Sequence, residues 1–89
     1  MPRFIVFHKS LIADGSQDQL LEYGRKVLAG LAPGAEWLNS WWDAEEGRLI
    51  CEWEAPTAEA LRASVEPISD SLPIEALHEV QPIDPQWFR

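Results

Sequence analysis

The sequence predicts one α+β domain with the element order β-α-β-β-α-β, and three features of its 89 residues indicate this. A β-branched and aromatic run opens the chain, two apolar runs flank a short acidic turn, and two amphipathic helical segments separate the strands. Two right-handed crossovers around an antiparallel hairpin give a four-stranded antiparallel sheet with both helices on one face. We therefore expect a ferredoxin-like sandwich.

The first strand is predicted over residues 3–9. It is apolar on both parities, with Phe4 and Val6 on one and Ile5 and Phe7 on the other. Because successive strand residues point to opposite faces, this pattern predicts a central strand that is covered on both sides.

The first helix is predicted to follow a turn at residues 14–16. Ser16 and Gln19 have the spacing of a capping box, and Ala32-Pro33-Gly34 ends the helical pattern. Gly24 lies in mid-helix, where it costs about 1 kcal/mol relative to alanine, so we expect close packing against the sheet there. The predicted buried stripe consists of Leu20, Tyr23, Gly24, Val27, Leu28 and Leu31.

The hairpin is predicted from strands at 36–43 and 48–54, with Gly47 supplying a positive φ in the turn. If Asp43 pairs with Arg48, the register determines which hairpin residues share a face, although a bulge at Gly47 would change these assignments. One face then holds Leu38, Ser40, Trp42, Leu49, Cys51 and Trp53, and the other holds Trp37, Asn39, Trp41, Ile50, Glu52 and Glu54.

The second helix is predicted to begin after the N-cap Thr57 and to be interrupted by Pro67. Its buried stripe is Leu61, Val65 and Ile68. The last strand is predicted over residues 74–81, with Ile74, Ala76, His78 and Val80 on one parity.

Composition excludes several classes of protein. The net charge is −8 and the seven Lys and Arg residues are dispersed, so we expect neither nucleic-acid nor membrane binding. No apolar run approaches the roughly 18 residues of a membrane span, and the start has no secretory pattern. The single Cys51 fits a reducing compartment. We expect one cytoplasmic domain, residues 1–89.

The second sheet face predicts a partner. It carries Trp37, Trp41 and Ile50 beside one parity of the first strand, and an exposed apolar patch of that size marks an interaction site. Two such faces packed together would make a homodimer with an α/β-barrel-like assembly. Trp87 and Phe88 end a proline-stiffened tail, residues 81–89, which we expect to pack on the sheet or on the partner.

About half the chain resembles a family of small bacterial proteins of unknown function. The resemblance lies in Trp37-Leu38-Asn39-Ser40-Trp41-Trp42-Asp43, in Gly47 to Pro56 with its Cys51-Glu52-Trp53-Glu54-Ala55-Pro56 ending, and in Ala60-Leu61-Arg62. It implies a dimeric ferredoxin-like domain and, because the family is described through nickel-binding members, nickel as a cofactor. The family's second-helix histidine is absent, since this segment reads Ala63-Ser64-Val65-Glu66-Pro67.

The residues themselves offer two candidate sites. His8, Cys51 and His78 are the soft or borderline metal ligands of the chain, and the fold could bring them together, although a buried cysteine also acts as a small hydrophobe. Asn39, Trp42 and Trp53 could line a ligand pocket between sheet and helices. No catalytic dyad is visible, so we expect a metal- or ligand-binding dimer. The alternatives are a cofactor-independent monooxygenase or isomerase, and a purely structural interaction module.

Overall fold

The computed structural model describes residues 1–10 and 17–89 and confirms the predicted fold. The strands form one antiparallel sheet in the order β2-β3-β1-β4. They are β1 (Arg3–Lys9), β2 (Glu36–Asp43), β3 (Arg48–Glu54) and β4 (Ile74–Val80). The helices are α1 (Gln17–Ala29) and α2 (Ala58–Val65). No helix in the described ranges is long and apolar enough to cross a membrane.

The core lies between one face of the sheet and the two helices. Phe4, Val6 and Trp53 from the sheet pack with Val27 from α1 and Leu61 from α2. We call this side of the sheet the helix-covered face and the other side the open face. Burying these apolar side chains is the main stabilising contribution in a domain of this size.

The second helix follows its prediction closely. Thr57 caps α2, and its hydroxyl accepts a hydrogen bond of 3.1 Å from the backbone N–H of Ala60. The helix ends at Val65 and a 3₁₀ turn (Glu66–Ile68) containing Pro67 follows. The predicted stripe of Leu61, Val65 and Ile68 is buried.

The first helix departs from its prediction at its C-terminal end. It stops at Ala29, Leu28 is 57% exposed and Leu31 lies beyond the helix. Val27 is the buried residue of the last turn, and its neighbour Leu28 points about 100° around the axis, away from the sheet. The predicted turn at 14–16 and the capping residue Ser16 lie outside the described residues.

The hairpin register agrees with the prediction at the turn and differs from it at the other end. Asp43 is opposite Arg48, and Gly47 has φ +63°. An irregularity between Trp37 and Asn39 then shifts the pairing by one residue. Trp37 therefore lies opposite Trp53 on the helix-covered face, and its predicted place on the second face is wrong.

A second register shift separates the two ends of β4. It lies between Phe7 and His8 of β1 and places Ile74 opposite His8, on the helix-covered face. His78 lies opposite Ile5, on the open face. The four residues predicted to share one parity in β4 are therefore divided between the two faces.

The C-terminal tail is exposed along its whole length. Residues 81–89 are all exposed, with Trp87 at 68% and Phe88 at 78%. The tail nevertheless has a defined 3₁₀ turn (Pro85–Phe88), in which the Asp84 carboxylate accepts a hydrogen bond of 2.8 Å from the Gln86 N–H. Packing of this tail on a partner remains a prediction.

Candidate functional site

A cavity of about 240 Å³ lies between the helix-covered face and helix α1. We call it the pocket. The sheet contributes His8, Ser40, Trp42 and Cys51, and helix α1 contributes Tyr23 and Val27 among others. No charged side chain is among the described residues that line it. Such a lining suits an apolar or weakly polar molecule.

Gly24 and Trp37 determine how closely α1 approaches the sheet beside the pocket. A Cβ atom on Gly24 would lie 3.3 Å from the Trp37 ring, a tight contact. The close packing that a mid-helix glycine predicts is therefore confirmed. The Trp37 ring lies within the layer between helix and sheet and forms part of the pocket wall.

His8 is the most unusual polar group of the pocket. Its side chain is 1% exposed, and Nδ1 lies 2.9 Å from the Leu72 carbonyl oxygen. Since a carbonyl can only accept, Nδ1 donates and the neutral ring has its lone pair on Nε2. That Nε2 is buried and has no hydrogen-bond partner among the described residues. Desolvation by burial lowers the pKa of His8, against the smaller opposite effect of the Leu72 hydrogen bond.

Three further polar groups of the pocket wall form hydrogen bonds with one another. The Trp37 indole N–H donates to Ser40 Oγ at 2.7 Å, and the Ser40 hydroxyl donates to Cys51 Sγ at 3.0 Å. Burial raises the pKa of the Cys51 thiol to about 11, although the Ser40 hydrogen bond lowers it in part. Cys51 is therefore a neutral thiol at physiological pH and a poor nucleophile.

The predicted metal ligands do not meet. His8 and Cys51 both line the pocket, whereas His78 lies on the open face with its ring 6.2 Å from Phe7. Within residues 1–10 and 17–89 there is no cluster of three or more His, Cys, Asp and Glu side chains that could hold a metal ion. Metal centres need several ligands around one point. The described donors of this site do not fit nickel.

The three residues predicted to line the pocket lie in three different environments. Trp42 lines the pocket. Trp53 is 1% exposed and stacks on Trp37 at 6.3 Å, so it supports the wall from within the core. Asn39 lies on the open face, where its amide donates to Glu52 at 3.2 Å. Its predicted role in the pocket is wrong, because the irregularity in β2 separates its face from that of Trp42.

Sequence reasoning missed two residues that shape the site. Ser40 shares a face with Cys51 in the predicted hairpin register, so strand parity alone could have placed it beside the thiol. Leu72 acts through its backbone carbonyl, and no feature of the side-chain sequence identifies such a contact.

Comparison with known proteins gives a family and a fold. A family model described as "Nickel responsive protein SCO4226-like" matches residues 4–80. The crystal structure of SCO4226 from Streptomyces coelicolor A3(2) superposes with a TM-score of 0.73 at 23% sequence identity. That match covers 92% of this chain and 99% of the other. No curated protein matches the chain.

Proposed function

This chain belongs to the SCO4226-like family of nickel-responsive proteins, and we propose that it binds a small, mainly apolar molecule in the pocket between sheet and helix α1. The observation that carries the proposal is the cavity itself. Its lining is mainly apolar, and transfer of an apolar ligand from water into it is favourable by about 25 cal/mol per Å² of apolar surface buried.

The size of the pocket sets the size of the ligand. An apolar cavity of about 150 Å³ holds benzene, and this one has about 240 Å³. A molecule with one or two rings, or an aliphatic one of similar volume, would fill it.

Nickel binding, which the family description suggests, is not supported by the described donors of this chain. His8 offers one lone pair, and His78 lies on the other face of the sheet. We therefore propose a ligand site on this chain in preference to a nickel site within it.

The pocket is tested by blocking it. Val27→Phe adds a ring to a buried residue of the pocket wall, whereas Leu28→Phe adds the same ring to a neighbour that is 57% exposed. We expect 2-naphthol to bind wild-type protein in calorimetric titration, Val27→Phe to weaken binding at least about tenfold, and Leu28→Phe to leave it unchanged. Equal affinity in the two variants would refute the pocket as the binding site.

We also propose that the open face pairs with a second copy of this chain. It carries the apolar residues Ile5, Phe7, Trp41 and Ile50, and Trp41 is 51% exposed. An apolar sheet face of this kind, which neither α1 nor α2 of the described ranges covers, is typical of an interface.

Charge favours a second copy as the partner. Arg3 lies 2.7 Å from Glu52 and 3.5 Å from Glu54, and the Arg48 guanidinium lies over the Phe7 ring at 5.9 Å. On the open face the bases Arg3, Lys9 and Arg48 partly offset the acids Glu36, Asp43, Glu52 and Glu54, and Arg48 also lies 3.9 Å from Glu75. Two chains of net charge −8 repel each other, and the bases on this face lower that repulsion.

The interface is tested with two matched charge substitutions. Trp41→Glu and Leu28→Glu each place a carboxylate at an exposed apolar position, one on the open face and one on α1. In sedimentation equilibrium we expect a wild-type dimer, a dissociation constant raised at least tenfold by Trp41→Glu, and no change with Leu28→Glu. A monomeric wild type, or a Trp41→Glu variant that dimerises normally, would contradict the proposal.

A further inference from the structure

We propose that the pocket selects uncharged molecules that carry one hydrogen-bond donor, a hydroxyl or an N–H group, on a body of one or two rings, and that His8 Nε2 accepts that hydrogen bond. This inference rests on the proposed function and names the chemical class of its ligand. It makes His8 the residue that determines specificity.

His8 can only accept from a ligand. Its Nδ1 hydrogen is committed to the Leu72 carbonyl at 2.9 Å, which leaves the lone pair of Nε2. The side chain is 1% exposed, so water does not solvate that lone pair as it would at the surface. A buried acceptor without a partner is unfavourable, and a donor brought by the ligand would satisfy it.

His8 is the pocket residue whose buried acceptor has no partner among the described residues. Trp37, Ser40 and Cys51 form a chain of hydrogen bonds among themselves, at 2.7 Å and 3.0 Å. Of the three buried side-chain nitrogens without a partner in the described part of the chain, Arg3 Nε, His8 Nε2 and Trp53 Nε1, only that of His8 belongs to a residue of the pocket wall. Of these buried nitrogens, His8 Nε2 is therefore the one that a ligand donor in the pocket could satisfy.

The lining of the pocket also disfavours charged ligands. None of the described residues around the pocket is Lys, Arg, Asp or Glu. An ion that enters would lose its hydration without gaining a counter-ion. Carboxylates and ammonium compounds are therefore rejected, whereas phenols, indoles and ring alcohols are admitted.

The inference is tested with three probes of similar shape: 2-naphthol, which has a donor, and 2-methoxynaphthalene and naphthalene, which have none. In calorimetric titrations of the wild-type protein at neutral pH, we expect 2-naphthol to bind about tenfold more tightly than the other two. In His8→Phe, which keeps a ring in the wall and removes the acceptor, the ratio between the probes is expected to approach one. Circular dichroism checks that the variant is folded.

The outcomes separate the two proposals. If the wild-type protein binds none of the probes, the pocket proposal itself fails. If it binds all three with equal affinity, the pocket stands and the role of His8 is refuted, whether or not His8→Phe folds. If His8→Phe folds and keeps the wild-type preference for 2-naphthol, another group accepts the hydrogen bond and the inference is likewise overturned.

Discussion

Replacing Trp53 with alanine is expected to lower the free energy of unfolding by about 3–5 kcal/mol, the largest effect of any single substitution considered for this chain. Trp53 is 1% exposed, stacks on Trp37 at 6.3 Å and is among the largest fully buried side chains. Removing its ring leaves a cavity in the centre of the core. Because small domains have a total stability of about 5–15 kcal/mol, the variant should be close to unfolding at room temperature.

The matched control is Trp41→Ala, which removes the same side chain from the open face. Trp41 is 51% exposed, so its loss should change stability by no more than about 0.5 kcal/mol. Both variants are compared by urea denaturation at a protein concentration where the chain is monomeric, since dimer formation would add to the effect of Trp41. Similar losses for the two would contradict the assignment of these residues to opposite faces.

Raising the pH from about 9 to about 11 is expected to remove about 2 kcal/mol of stability through Cys51 alone. Burial raises the pKa of this thiol from 9.0 to about 11, so the folded chain holds a proton that the unfolded chain releases. The stabilisation is complete below pH 9 and is lost as the pH rises through the pKa of the folded state. The measurement is the free energy of unfolding in urea at several pH values.

Cys51→Ala isolates this contribution, because the variant lacks the thiol and keeps every other titratable group of the chain. Between pH 9 and 11 the stability of the wild type should fall more steeply than that of Cys51→Ala. Parallel curves would mean that the thiolate is accommodated in the fold, which disagrees with a thiol that is 4% exposed beside an apolar pocket.

The sequence was sufficient for the fold because the relevant signals are local. Thr57, Pro67 and Gly47 determine a helix start, a helix end and a hairpin turn through their own backbone and side-chain chemistry. The pairing of Asp43 with Arg48 follows from that turn. Each of these features was predicted and is observed.

The face of the sheet to which each strand residue points was less predictable. One extra residue in a strand reverses the face of every residue beyond it. Nothing in the sequence around Trp37 and Asn39 marks the irregularity between them, yet it moves Trp37 to the helix-covered face. The shift between β1 and β4 likewise places Ile74 opposite His8. The Trp37 ring on that face packs so closely beside Gly24 of α1 that a Cβ atom there would lie 3.3 Å from it, and such contacts between distant elements cannot be read from local sequence.

The candidate site was predicted only in part, because it also depends on contacts between elements that are distant in the sequence. His8 and Cys51 come from strands that are neighbours in the predicted sheet, and both line the pocket. The carbonyl of Leu72, which orients His8, comes from a loop whose path depends on the whole fold. His78 lies opposite Ile5, and that pairing separates it from His8 by the thickness of the sheet.

The most direct test of the pocket as a ligand site is a methyl NMR titration of the full chain with 2-naphthol. Val27, Val65 and Leu72 line the pocket, whereas Ile5 and Ile50 lie on the open face. We predict that the methyl signals of the first group shift in a saturable way and that those of the isoleucines stay in place. Saturable shifts confined to Ile5 and Ile50, or no shift at all, would contradict the account.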